Sequence, residues 1–231
     1  MSAHARSDPW VGRSVPRKED APLVTGTGMY VPDMNLPGTL EVAFVRSPSA
    51  HARITRIDTS AALALDGVVA IFTGPDIRDH VRPLVLDQEA PPPGLEAADP
   101  QILPATIEIL ADGEVRHVGQ AVAAVVAETR YLAEDGADLV LVDYENLPAV
   151  VDPEVARQPG APIVYENVPD NVQARYRIRV GDADAAFAKS PHTLSLRVRS
   201  QRIAASPMET RGVLATCVGE QITLWSSTQI P

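Results

Sequence analysis

An unbroken aliphatic run at residues 121–127 constrains this chain more than any other feature. It falls far short of the roughly 20 residues a membrane-spanning helix needs. Its continuous hydrophobicity fits a strand buried on both faces. Thr129 then caps a helix that places Leu132, Ala133, Ala137 and Val140 on one face. Gly136 sits in the middle of that helix, at a cost of about 1 kcal/mol relative to alanine. Residues 141–145 return as the next strand, so a strand–helix–strand unit is the clearest local structure of the first half.

Upstream, residues 1–20 are polar and carry Pro9 and Pro16, which predicts an extended arm. Gly26 and Gly28 read as a tight turn with no strand or helix framing it. A third glycine is lacking, so the pair is no dinucleotide loop. Residues 36–38 close that turn. Strands follow over 39–46 and 52–58, then a short helix capped by Thr59 or Ser60, a stop at Asp66-Gly67 and a buried strand over 68–72. The order is a β-α-β rhythm. His51 and His117 lack histidine or cysteine at ligand spacing and are read as polar turn or strand-edge residues. Residues 87–104 are acidic and proline-rich, which predicts a surface insertion without regular structure.

Past residue 152 a new unit is expected. Residues 172–180 alternate with Arg175, Arg177 and Arg179 on one face, and residues 194–201 alternate with Leu194, Leu196 and Val198 on theirs. Such arginines fit a solvated sheet face or a docking face for an acidic partner. Between these runs Asp182 caps a helical turn through Phe187. Last come two β-rich runs, 212–218 and 221–227, around the two-residue step Gly219-Glu220, the pattern of a hairpin. An outer strand there would keep a row of unpaired backbone groups, so the chain is expected to be a piece of something larger.

Composition narrows the function classes. Of 231 residues 45% are apolar, enough for an ordinary core. The balance of 20 Lys and Arg against 30 Asp and Glu gives a net charge of -10, which disfavours nucleic acid as a partner. Aromatics at 4% leave few stacking platforms for single strands. No segment is expected to cross a membrane, and the first residues lack the apolar core of a secretory signal, which implies a cytoplasmic protein. Cys217, the single cysteine, excludes an internal disulfide or a cysteine-built metal site, and its strand neighbours imply a buried, inert thiol. No nucleophile elbow, phosphate loop or paired histidines at helical spacing occurs. Local motifs alone leave a soluble α+β chain of open function.

Several stretches in fixed order carry more. They are Arg17-Lys18-Glu19-Asp20 with Thr25-Gly26-Thr27-Gly28-Met29-Tyr30; Arg46-Ser47-Pro48-Ser49-Ala50-His51-Ala52-Arg53-Ile54; Gly67-Val68-Val69-Ala70-Ile71-Phe72-Thr73-Gly74; Val118-Gly119-Gln120-Ala121-Val122-Ala123; Val142-Asp143-Tyr144-Glu145-Asn146-Leu147-Pro148-Ala149-Val150; Pro207-Met208-Glu209-Thr210-Arg211-Gly212; and Trp225-Ser226-Ser227-Thr228-Gln229. Together they resemble the N-terminal part of the large, molybdenum-cofactor subunit of the molybdenum hydroxylases, the family of xanthine dehydrogenase, aldehyde oxidase and aerobic carbon monoxide dehydrogenase.

The resemblance implies an α+β fold: an extended arm over 1–19, an α/β hammerhead domain over 20–152 and the first strands of a molybdopterin-binding domain over 153–231. It implies hydroxylation or dehydrogenation of an aldehyde, an N-heterocycle or carbon monoxide with water as oxygen source. The cofactor implied is a molybdenum-pterin in its cytosine dinucleotide form, with FAD and [2Fe-2S] clusters on partner subunits. Of the family's cofactor contacts only Gln229 maps onto this chain. Its carboxamide donates an N–H without titrating and competes weakly for a metal. Met208-Glu209-Thr210-Arg211 has threonine where the family has proline, and Glu209 is read as structural; Gln120-Ala121 likewise departs from the family's Glu-Pro. No catalytic residue or metal ligand maps here. The remaining cofactor contacts and the catalytic base are implied to lie on another chain supplying the rest of the large subunit, without which this one is inactive. A non-catalytic assembly module with the hammerhead fold, or a truncated gene product, stays open at this point.

Overall fold

The computed structural model describes residues 12–85, 97–103, 105–178, 181–207 and 209–228. In chain order the elements are α1 (Asp20–Val24), β1 (Glu41–Arg46), β2 (Ala52–Asp58), α2 (Ser60–Leu63), β3 (Val68–Thr73), α3 (Gly74–Ile77), β4 (Leu84–Val85), β5 (Ala97–Ile102), β6 (Thr106–Ile107), β7 (Glu114–Val115), β8 (Ala121–Ala127), α4 (Arg130–Leu139), β9 (Leu141–Asn146), α5 (Pro153–Ala156), β10 (Ala174–Ile178), α6 (Ala183–Lys189), β11 (Val213–Val218) and β12 (Gln221–Ser226). The chain divides into two compact units, one of Thr39–Leu196 and one joining Met1–Gly38 with Arg197–Pro231.

In the larger unit β8 is the central strand of a three-stranded sheet, antiparallel to β1 on one side and to β3 on the other. Val122, Ala123, Val125 and Ala127 are fully buried. The two faces are covered by different layers. Val122 packs with Ala52, Ala111 and Val115, residues of the second sheet and its approach, while Val125 packs with Ala62 and Val140 at the helices. Ile57 and Val142 touch both clusters and tie them together. From Ala124 onward the Val122 face opens: Ala124 and Val126 are half-buried, and Phe44 and Phe72, both paired with Ala124, are exposed.

Helix α4 begins where the residue pattern places it. Thr129 Oγ1 accepts from the Leu132 N–H at 3.3 Å, and the helix rests on β1, β8 and β3. The central Gly136 has a packing reason: a Cβ there would lie 3.0 Å from Val125 Cγ1 and 3.2 Å from Val68 Cγ2. The glycine costs helix propensity and lets the helix approach the sheet.

The strand–helix–strand units do not build a parallel sheet. β2 and β9 pair with each other in a second, antiparallel sheet with β7, so both β2–α2–β3 and β8–α4–β9 cross from one sheet to the other. The β-α-β rhythm is present, with its strands divided between two antiparallel sheets. The junction of the two sheets is a polar corner built from three of the motif stretches. The Ser47 N–H donates to Gln120 O at 2.9 Å and the Gly119 N–H donates to Ser47 O at 2.8 Å. Buried Gln120 accepts the Arg116 N–H on Oε1 at 2.7 Å, Ser49 Oγ bonds Asn146 Oδ1 at 3.0 Å, and His51 Nδ1 lies 2.8 Å from Pro148 O. Gln120 and His51 are thus structural bridges; His117 is exposed in the bend before β8.

Other expectations are corrected. Residues 20–24 form helix α1 directly before the Gly26 turn, which is therefore a helix end. The helix after β2 is capped by Asp58, whose carboxylate accepts from Ser60 N–H and Oγ, and not by Thr59. Within the expected insertion, residues 97–102 are strand β5, antiparallel to β10, and on either side of it β4 pairs with β6. A partner some 70 residues away supplies the ladder that local composition did not suggest. Conversely, residues 191–207 have no regular structure. Their alternation finds no strand to pair with among the described residues, and Leu194, Leu196 and Val198 stand exposed. Arg175 is held by Asp170, and Arg179 lies outside the described residues. Asp182 caps α6 as expected, its Oδ1 accepting from the Ala185 N–H at 2.9 Å. No helix of the described residues is long and apolar enough to cross a membrane.

Two outcomes test this packing. Gly74 lies at the end of β3 where a Cβ would meet Ala111 O at 2.5 Å and Asp112 Cα at 3.0 Å, both backbone. Gly74→Ala is expected to lower the unfolding free energy by about 2–3 kcal/mol in urea titrations. Gly136→Ala, whose neighbours are valine side chains and which regains about 1 kcal/mol of helix propensity, is expected to change it by about 1 kcal/mol or less. Burial pushes the Tyr144 hydroxyl above its ordinary 10.0, against a hydrogen bond from Ser47 that lowers it. A folded-state value above the unfolded one means a contribution fully present below pH 10 and lost as pH rises through the folded value. Ultraviolet titration should therefore find Tyr144 ionising above its ordinary value, and Ser47→Ala should raise it further.

Candidate functional site

The smaller unit carries the stretches that the resemblance places near a cofactor. β11 and β12 are joined by Gly219-Glu220, with Gly219 at φ +62, a conformation that the two-residue turn demands and glycine adopts freely. The register runs from Val218↔Gln221 at the tip to Val213↔Ser226 at the open end. Alternation puts Leu214 opposite Trp225 on the half-buried face and leaves Ala215, Cys217 and Leu224 on the exposed one. Cys217 is thus exposed, contrary to expectation, its Sγ 3.3 Å from Gly219 O. The strand is real; the layer that would bury its outer face is not part of the described residues.

At the open end the ladder continues through a side chain. The Ser227 N–H donates to Gly212 O at 3.1 Å, the Gly212 N–H donates to Ser227 Oγ at 2.8 Å, and Ser227 Oγ in turn donates to Thr210 O at 3.1 Å. Gly212 rests on Val31 and Pro32, where a Cβ would come within 3.2 Å of Val31 Cγ1. These bonds tie Thr210 and Gly212 to Ser227, joining the sixth motif stretch to the seventh. Gln229 and Met208 lie outside the described residues, so Gln229 is placed only by its position two residues past Ser227. Glu209 is half-buried. Ser227 was not singled out in the sequence, although a two-residue turn at 219–220 already sets it opposite Gly212.

The larger unit has its own open groove of about 620 Å³, lined among others by Arg53, Glu108, Glu114, Arg116 and Tyr165. Its arginines are engaged: Arg53 with Glu145 at 2.5 Å, and Arg116 with Glu114 at 3.1 Å while lying 4.9 Å over the Tyr165 ring. This is a charge-compensated surface. Among the described residues no three His, Cys, Asp or Glu side chains gather as a metal site. At the hairpin base the amides, carbonyls and hydroxyl named above bond one another.

Comparison with known proteins gives two family matches along the chain. Residues 25–148 match the family described as aldehyde oxidase and xanthine dehydrogenase, a/b hammerhead domain, and residues 164–231 match the molybdopterin cofactor-binding domain. The nicotine 6-hydroxylase large subunit of Paenarthrobacter nicotinovorans is 44% identical over 96% of this chain and 26% of its own length. The carbon monoxide dehydrogenase large chain of Afipia carboxidovorans is 39% identical over 93% of this chain and 27% of its own. The crystal structure of quinoline 2-oxidoreductase from Pseudomonas putida 86 superposes with a TM-score of 0.79 at 36% identity, covering 95% of this chain and 27% of that one. The chain spans about a quarter of the length of these relatives. It belongs to the aldehyde oxidase and xanthine dehydrogenase family, and consists of that family's α/β hammerhead domain followed by the start of the molybdopterin cofactor-binding domain.

Proposed function

We propose that this chain is a structural and cofactor-proximal portion of a molybdenum hydroxylase large subunit, and that it is catalytically inactive until another polypeptide supplies the remainder of that subunit. The observation that carries the reading is the hairpin base, where Ser227 joins the Glu209–Gly212 stretch to the strand end leading into Gln229. The proposed boundaries are an arm over 1–19, the hammerhead over 20–152 and the cofactor-binding portion from 153 onward, supported by family matches over 25–148 and 164–231.

Gln229 is the proposed cofactor contact, donating its amide N–H to the molybdenum-pterin group, here in its cytosine dinucleotide form. When bound, that group supplies oxidative hydroxylation with water as the oxygen source. Within this chain, Ser227 holds the strand end and the hammerhead provides the folded support. FAD and [2Fe-2S] clusters belong, in this reading, to partner subunits. Names such as large subunit and large chain among the relatives support such an assembly. An aromatic N-heterocycle is the proposed substrate class, because nicotine 6-hydroxylase and quinoline 2-oxidoreductase stand among the relatives. The uncovered apolar side chains of the second half support a further polypeptide: Leu194, Val198 and Ile203 are 89%, 79% and 86% exposed.

Co-expression with the remaining part of the large subunit and with iron–sulfur and flavin subunits tests this. The assembly is expected to contain molybdenum and to incorporate oxygen from labelled water into a quinoline or pyridine substrate, while the chain alone does neither. Gln229→Ala is expected to lower turnover by about 10- to 100-fold. A metal-free assembly would refute the cofactor reading, and unchanged turnover in the Gln229 variant would refute the site.

A further inference from the structure

We infer that the outer face of the terminal hairpin is a docking surface, and that its occupant is the rest of the cofactor-binding domain, carried on the polypeptide that completes the large subunit. The inference rests on the completion proposed above and names a place where it occurs.

The ladder register sorts the side chains of the hairpin. Val213, Ala215 and Cys217 of β11 share one side with their partners Ser226, Leu224 and Ile222 of β12. All six are exposed, Val213, Ile222 and Leu224 by 66%, 71% and 60%. On the other side Leu214, Thr216 and Trp225 are half-buried, with Val218, Gln221 and Thr223 completing that face. An antiparallel sheet with one face in water ordinarily keeps its polar residues on that face. Here the order is inverted. The fully exposed side holds one serine among apolar residues and a thiol, while Thr216, Gln221 and Thr223 lie on the side that is already partly covered. None of the six outer residues is charged, so the complement of this face is apolar.

The face is also preformed. Pairing runs from Val218↔Gln221 to Val213↔Ser226, and past it the Ser227 N–H donates to Gly212 O at 3.1 Å while Ser227 Oγ accepts the Gly212 N–H at 2.8 Å. A partner therefore meets a backbone that needs no further ordering. Two strands by themselves are marginal in water and gain stability from a further layer. What that layer belongs to follows from the family match: residues 164–231, which include the hairpin, match the molybdopterin cofactor-binding domain, and the chain spans about a quarter of the length of its relatives. A domain packs two layers around one core, and the hairpin supplies part of one.

Cys217, the single cysteine of the chain, lies in this face and serves as its probe. The test follows its alkylation by iodoacetamide, read by mass spectrometry of the peptide that contains it, in the chain alone and in the chain co-expressed with the remainder of the large subunit. The lone chain is expected to be a monomer that labels readily, and labelling is expected to be lost in the assembly. Leu224→Asp should leave the circular dichroism and melting midpoint of the lone chain at parental values. It should weaken assembly by about 100-fold or more, because a carboxylate would be buried unpaired. If the assembly holds molybdenum and Cys217 labels as in the lone chain, the inference is overturned and the proposed function stands. Parental assembly of Leu224→Asp overturns it likewise. Protection of Cys217 in the lone chain also overturns it, since the face is then covered by its own chain in a monomer or by a second copy in a dimer. An assembly that protects Cys217 and holds no molybdenum supports the inference and refutes the cofactor reading. Failure of the two polypeptides to associate refutes both. Should Leu224→Asp not fold alone, labelling of the parent decides the matter.

Discussion

Burial of one strand on two different layers is the constraint on which the larger unit depends. β8 presents Val122 to the sheet of β2, β7 and β9 and Val125 to the helices, so neither layer can shift without opening a cavity beside it. Alanines at 123, 124 and 127 keep the strand slim enough for a helix and a second sheet to approach. Gly136 serves the same end from the helix side. With only small residues at the crossing, close backbone approach, and not bulky side chains, makes this core.

The motif stretches divide by role. Three of those in the hammerhead converge on the corner of Ser47, Gln120, Asn146 and Pro148, where hydrogen bonds satisfy backbone groups that would otherwise be orphaned between two sheets. Gln120 fills this place because the Arg116 N–H requires an acceptor, which its side-chain oxygen supplies. The last two stretches are organised differently, around a single serine at the mouth of a hairpin. One set supports the fold, the other faces the chemistry proposed for it.

Legibility in the sequence followed the range of the interactions. The hairpin of β11 and β12 was readable because its register is set by a two-residue turn. The helix at Thr129 was readable because cap and apolar face are local. The β5 strand was not, since Ala97–Ile102 has little intrinsic β-preference and is held by β10 far along the chain. The alternation at 194–201 misled for the opposite reason: the pattern is there, and no ladder partner is among the described residues. Cys217 went wrong likewise, because a strand's pattern cannot say whether its outer face is covered.

Residues alone determined where the central strand, its helix and the terminal hairpin lie, since each depends on neighbours within a few positions. The motif stretches, in order, were also enough to point to the family. Only the tertiary structure decided that the strands on either side of each helix join separate sheets, that Gly74 must stay without a side chain against the Ala111 backbone, and that Ser227 closes the hairpin mouth. Those outcomes depend on which distant surfaces meet, and periodicity along a chain records the faces a segment offers without naming what covers them.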